Sequence, residues 1–146
     1  MARIRVAVTI DAPRADVWSH IADIEGHVVW MRDAESIRFK SLRRTGRGTM
    51  FECRTRVGPF RTIDVMEVTK WRPPRVLGVR HTGLVTGTGA FRLRSRGRQR
   101  TKVIWEERLR FPWRFGGPLG AAVASPVLRR LWRGNLEALK HHIEQT

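Results

Sequence analysis

Apolar and polar residues alternate at the start of the chain, where Ile4, Val6, Val8 and Ile10 are separated by Arg5, Ala7 and Thr9. A period of two marks a strand with one buried face, so the first strand is predicted here. The alternation stops at Asp11, which is placed to accept a backbone hydrogen bond as an N-cap, and Pro13 has the fixed φ that suits a first helical turn. Val17, Trp18, Ile21 and Ala22 then recur at helical spacing and predict a helix of about ten residues. Gly26 interrupts it, and His27 to Met31 reads as a second short helical turn carrying Trp30.

From Glu35 onward the pattern is one of strands punctuated by turn residues. Segments 36–42, 49–57, 60–71, 76–82, 88–96 and 102–111 are rich in β-branched or aromatic residues, and glycines or prolines separate them. The connections are mostly too short for crossovers, which predicts an antiparallel meander of six strands. Phe51, Cys53, Thr55 and Val57 share one face by alternation, as do Leu77, Val79 and His81, then Phe91 and Leu93, then Val103, Trp105, Glu107 and Leu109. These are the expected inward sets. In 60–71 the apolar phase changes between Val65 and Met66, which predicts a bulge there and leaves that strand's inward face unassigned.

After Phe111 the chain passes through "PWRFGGPLG" and becomes helical to its end. Leu128, Leu131, Trp132, Asn135, Leu139 and either His142 or Ile143 form one stripe. Pro126 lacks the N–H a helix interior needs, so a kink or a fresh start capped by Ser125 is expected. Without repeats, low-complexity tracts or linkers, residues 1–146 read as one domain. The apolar face of a seven-stranded sheet must be covered, and only the terminal helix is long enough to do it. The expected class is therefore α+β, with the sheet curled around that helix.

Charge modifies this picture. The chain has 25 Arg and 4 Lys against 5 Asp and 8 Glu, a net charge of +16. Such an excess points to a polyanionic partner, either nucleic acid bound non-specifically or an anionic membrane surface. Arg92, Arg94, Arg96, Arg98 and Arg100 recur every second residue, the spacing of one solvated strand face. Cys53 is the only cysteine, so no intrachain disulfide can form and the CxxC zinc patterns are absent. Residues 1–20 hold no apolar run of signal-peptide length, and no stretch approaches the ~20 apolar residues of a spanning helix. The expectation is a cytoplasmic protein.

The order of elements, with "TIDAPRADVWSHIADIEGHVVWM", "VTKWRPPRVLGVR", "GTGAFRLR", "TKVIWEERLRF", "GGPLG" and "LRRLWRGNLEALKHHIE", resembles the START-like (SRPBCC) superfamily that includes the birch-pollen allergen. It is more closely similar to the bacterial polyketide cyclase/dehydrase and coenzyme-Q-binding branches. The likeness covers almost the whole chain. It implies a helix-grip fold, in which the two short helices plug one end of the curved sheet and grip the terminal helix. It also implies a cavity between sheet and helix for an apolar small molecule such as a lipid, isoprenoid, quinone or polyketide. The motifs belong to the scaffold and carry no catalytic signature.

On that basis Trp30, Phe51, Cys53, Val79, His81, Phe91, Trp105, Glu107, Leu131 and Asn135 are the expected ligand-contacting residues, with Glu107, His81 or Asn135 fixing orientation. Trp18 is expected as a core anchor; for Trp30, packing and ligand contact are both open. His81 and Glu107 stand out on otherwise apolar faces. A desolvated carboxyl beside an imidazole can form an acid–base pair, the chemistry of an aromatase/cyclase or dehydratase. The alternatives are that Glu107 pairs with an arginine, or that a shift of one residue turns Glu106 inward instead. No metal site is expected, because His141 and His142 are adjacent on a helix and their side chains diverge by roughly 100°. No cofactor is expected either, since Gly87-Thr88-Gly89 is only a GxG fragment without a following helix. Cys53 reads as a small hydrophobe in the sheet.

Overall fold

The computed structural model describes residues 1–146. Strand β1 (Ala2–Ile10) is followed by helices α1 (Arg14–Ala22) and α2 (His27–Trp30). Six strands come next: β2 (Ala34–Phe39), β3 (Met50–Val57), β4 (Phe60–Arg72), β5 (Val76–Thr82), β6 (Thr86–Ser95) and β7 (Thr101–Arg110). A short 3-10 turn (Trp113–Phe115) leads into the terminal helix α3 (Gly117–Glu144). The strands form one antiparallel sheet in the order β1-β7-β6-β5-β4-β3-β2. The expected meander is present, and β1 closes onto its last strand. With α3 packed against the sheet, chiefly along β1, the architecture is an α+β helix grip.

Burial follows the alternation. Ile4, Val6, Val8 and Ile10 are buried and meet Leu136, Leu139 and Ile143 of α3 in a common core. It is Ile143 and not His142 that completes the buried stripe; the His142 ring instead packs edge-on to His20 at 5.4 Å. Two hydrogen bonds fasten the end of α3 to the end of β1: Lys140 Nζ donates to the Thr9 carbonyl at 2.9 Å, and the Asp11 amide donates to Glu144 Oε2 at 2.7 Å. Trp18 is buried under the short helices, 5.5 Å edge-on from Trp71.

Four local expectations are corrected. Asp11 does not cap α1: the helix begins beyond Pro13, whose carbonyl accepts from the Asp16 and Val17 amides, while the Asp11 carboxylate accepts from Arg100 Nε at 3.1 Å. Pro13 is itself the N-cap, with extended backbone at ψ 151°, so it stands before the first turn and not within it. The arginine series is not one strand face, because β6 ends at Ser95. Arg96–Arg100 form the turn into β7, closed by a bond from the Arg96 amide to the Arg100 carbonyl, and only Arg92 and Arg94 remain on the strand. The β3–β4 register runs unbroken across Val65 and Met66; the irregularity lies between Val68 and Lys70, against β5. Finally, of the two outcomes expected at Pro126, the fresh start does not occur: α3 runs through the proline. Ser125 lies inside the helix and its hydroxyl donates to the Ala121 carbonyl at 2.7 Å.

Candidate functional site

The unassigned face of β4 supplies part of the site. With register continuous through 65 and 66, Asp64 and Met66 turn inward beside Cys53 and Phe51 of β3. They line an internal cavity of about 90 Å³ together with Ile24, His27, Met31, Asp33, Ile37, Thr55, Leu77, Val79, His81, Phe91, Trp105, Glu107 and Trp132. No arginine or lysine reaches it, although the chain carries 29 of them. The polar end of the cavity is therefore made of carboxylates and imidazole. Seven of the ten residues expected to touch a ligand lie on this lining: Phe51, Cys53, Val79, His81, Phe91, Trp105 and Glu107.

Trp30, Leu131 and Asn135 do not line it. Trp30 is buried in an aromatic cluster, 6.0 Å from Phe91 and 6.4 Å from Trp105. Leu131 packs on the core from α3. Asn135 is fully buried and links α3 to the chain after α2: its Nδ2 donates to Asp33 Oδ1 at 2.7 Å, and its Oδ1 accepts from the Arg32 amide at 3.0 Å. Trp132 Nε1 donates to the other Asp33 oxygen at 3.3 Å. Asn135 thus orients α3. A polar residue on a buried helical stripe gives no sign in sequence of whether its partner is a ligand or the protein.

His81 and Glu107 meet, although β6 runs between their strands. His81 stands opposite Gly87, and Glu107 opposite Gly89. Neighbouring strands lie about 4.8 Å apart, so side chains from β5 and β7 can touch only if β6 offers no side chain between them. A methyl at Gly89 would overlap the Glu107 carboxyl, and one at Gly87 would overlap the Arg108 carbonyl. Gly89 of the GxG fragment therefore clears the path between acid and base, while Gly87 lets the backbones of β6 and β7 come together, roles the sequence did not disclose. His81 Nε2 and Glu107 Oε2 are 2.8 Å apart, and Glu107 Oε1 accepts from Trp105 Nε1 at 3.0 Å. Glu107, and not Glu106, faces inward; Glu106 pairs with Arg5 outside.

Electrostatics separates the titratable groups. Burial alone would lower the basicity of His81, but the hydrogen bond and charge of Glu107, with the charge of Asp64, outweigh it and hold His81 above the usual imidazole range. Asp64 is raised by desolvation, partly offset by the bond it accepts from Thr55 Oγ1 at 2.7 Å. His27 goes the other way: burial lowers it to about 4, and its Nε2 donates to the Ile21 carbonyl at 2.7 Å. Burial pushes the Cys53 thiol up to about 11, consistent with an inert hydrophobe. With Nε2 engaged by Glu107, Nδ1 of His81 is the ring nitrogen left for a ligand, and the arrangement suits donation of a hydrogen bond or proton to a ligand oxygen.

Stacked aromatics explain why the cavity is small. Trp105 lies 4.9 Å from Trp132 with planes at 20°, and 4.9 Å from Phe91, so rings fill much of the space between sheet and helix. A larger cleft of about 400 Å³ lies on the outside, lined by Arg14, Arg75, Val76, Arg92, Leu93, Arg94 and Ser95. It is open and shares no residue with the cavity.

A family model described as polyketide cyclase / dehydrase and lipid transport matches residues 1–144. None of the curated proteins matches the sequence. Among solved structures, the chain is similar to the Zhui aromatase/cyclase from Streptomyces sp. R1128, with TM-score 0.80 and 20% identity over 98% of this chain and 93% of that one. It is similar to a conserved protein from Geobacillus kaustophilus, with TM-score 0.81 and 13% identity over 98% and 95% of the two chains. A START superfamily protein from Mycobacterium smegmatis aligns with TM-score 0.73 and 13% identity over 99% of each. At these identities the likeness is one of fold.

Proposed function

The chain belongs to the polyketide cyclase/dehydrase and lipid transport family, and from that membership we propose that it binds a hydrophobic or amphipathic small molecule inside the sheet–helix cavity. The apolar body of the ligand, of the lipid, isoprenoid, quinone or polyketide class, lies among Phe51, Met66, Leu77 and Phe91. An oxygen at its polar end accepts from His81. The observation that carries the reading is the union, in one pocket, of an apolar wall with a buried imidazole–carboxylate pair.

The volume of about 90 Å³ is well below the ~300 Å³ at which ordinary ligand pockets begin, so binding includes a widening of the cavity. Met31 and Met66 are the side chains suited to this, since an unbranched thioether changes rotamer at little cost. A second reading uses the same space for chemistry, as an aromatase/cyclase or dehydratase in which His81 and Glu107 move a proton. The specific observation favouring it is their 2.8 Å contact.

The test is a panel of lipids, quinones and aromatic polyketides, alongside sugars and nucleotides, read by thermal unfolding and by native mass spectrometry of freshly expressed protein. A matching apolar ligand at ~100 times its dissociation constant is expected to add about 2.7 kcal/mol of stability. Sugars and nucleotides are expected to add none. If no apolar compound shifts unfolding and no ligand is extracted, the interior is a closed core and the proposal fails.

A further inference from the structure

Helix α3 presents two different faces to its surroundings. Ala121, Trp132, Asn135 and Leu136 are buried, while on the opposite face Leu119 and Val123 are 74% and 70% exposed and Val127 is also exposed. Just before the helix, Trp113 is 88% exposed and Phe115 is exposed beside it. Residues 119, 123 and 127 recur every fourth position and so form one outward stripe. Further along the same face the exposed residues become Arg130, Arg133 and Glu137. An outward apolar stripe continuous with exposed aromatic residues is a surface made to be covered.

Charge identifies what covers it. Charged side chains flank the stripe unevenly: Arg114 lies between the two exposed aromatic residues and Arg130 and Arg133 continue the helical face, with Glu137 as its one carboxylate. None of these three arginines takes part in an ion pair within the protein. Two copies meeting through this face would bring six guanidinium groups together against two carboxylates, which disfavours self-association. Apolar side chains flanked by unpaired arginines match the boundary of an anionic bilayer, where Trp and Phe enter the headgroup region and Arg reaches back to phosphate.

We propose that the segment Trp113–Val127 is a peripheral docking face for an anionic lipid membrane. No helix of the protein is long and apolar enough to cross one, so the contact lies in the plane of the interface. The face adjoins the polar end of the cavity: Arg110, from which the segment leaves the sheet, pairs with Thr86, the residue before the Gly87 that stands opposite His81. The outer arginine cleft formed by Arg92 and Arg94 is at the far end of β6 from Thr86 and is not part of it.

Flotation with phosphatidylcholine vesicles, with and without phosphatidylglycerol, tests the proposal on the full chain. Wild type is expected to float with the anionic vesicles only. Leu119→Gln with Val123→Gln, both exposed and so compatible with the fold, is expected to weaken partitioning about tenfold. Arg114→Gln with Arg130→Gln is expected to weaken it roughly tenfold or more. Arg92→Gln with Arg94→Gln removes the same charge beyond a Debye length of ~10 Å from the lipid and is expected to change it less than about twofold. Unchanged circular dichroism and melting temperature show that each variant is folded. Absence of flotation, undiminished flotation of the Leu119/Val123 variant, or equal loss in the two arginine pairs overturns the proposal. So does a dimer in sedimentation that dissolves on Leu119→Gln with Val123→Gln, which would make a second copy the occupant.

Discussion

Within the cavity, each ionisable side chain is set by what it touches. Glu107→Gln keeps shape and removes the charge that holds His81 high, so His81 is expected to titrate at lower pH than in wild type, as followed by NMR of its ring protons. If the protein only binds, apolar ligand affinity in this variant should stay within about tenfold of wild type. If the pair transfers a proton, turnover of a reactive poly-β-ketone or hydroxy-ketone should drop by ~10²–10⁴ while affinity holds. His27 offers a separate test. Its folded value of about 4 lies below the 6.5 of an unperturbed imidazole, so from pH 6.5 downward the unfolded chain binds a proton that the folded chain refuses. Stability is unaffected above that window and falls by roughly 3 kcal/mol as pH approaches 4. His81, raised by Glu107, contributes in the opposite sense: its stabilisation is complete below 6.5 and is lost as pH rises through its folded value. His27→Gln retains a donor for the Ile21 carbonyl and cannot titrate there, so its unfolding temperature should decline less than that of wild type between pH 6.5 and 4.5. Parallel declines would show that His27 does not govern the acid limb.

At the scale of the element, strand β6 matters for what it lacks. Gly89→Ala is expected to drive the Glu107 carboxyl off its place, break its contact with His81 and cost about 1–3 kcal/mol, as overpacking does. An unchanged His81 titration in this variant would show that the gap over β6 is not what joins the pair. Such a gap is invisible in a sequence, because a glycine in a strand signals a bulge, a turn or a close approach with equal force. The elements themselves were legible wherever one periodicity dominated. β1, β5 and the inward sets of β3 and β7 follow from alternation alone, whereas the alternative left between Glu107 and Glu106 is decided by burial, in favour of Glu107. Legibility failed where two cues competed. The even spacing of arginines carried one strand face on through the turn after Ser95, and the apolar phase at Val65 and Met66 concealed an unbroken pleat, and with it Asp64. Asp33 and Asn135 join α3 to the chain after α2 across 102 residues, a contact that local pattern does not encode.

At the scale of the molecule, a net charge of +16 acts as a field beyond any single pair. Duplex DNA should therefore be retained weakly at about 50 mM salt and released by about 200 mM, with little preference for sequence, since attraction by net charge is to the phosphates and carries no base information. Salt-resistant and sequence-selective binding in a filter or fluorescence assay would instead mark the protein as a dedicated nucleic-acid reader. Topology has a consequence for biogenesis. β1 pairs with β7 from Ala2 opposite Leu109 to Ile10 opposite Thr101, so the first strand made must wait for the last. At ribosomal speeds of roughly 5–20 residues per second, that interval is about 5–20 s, during which an alternating Ile and Val edge emerges with no partner. Arg3 and Arg5 interrupt that edge, and charges so placed deter premature pairing between nascent chains. When β7 arrives, Glu106 meets Arg5 at 3.4 Å, and one of the two gatekeepers becomes a latch.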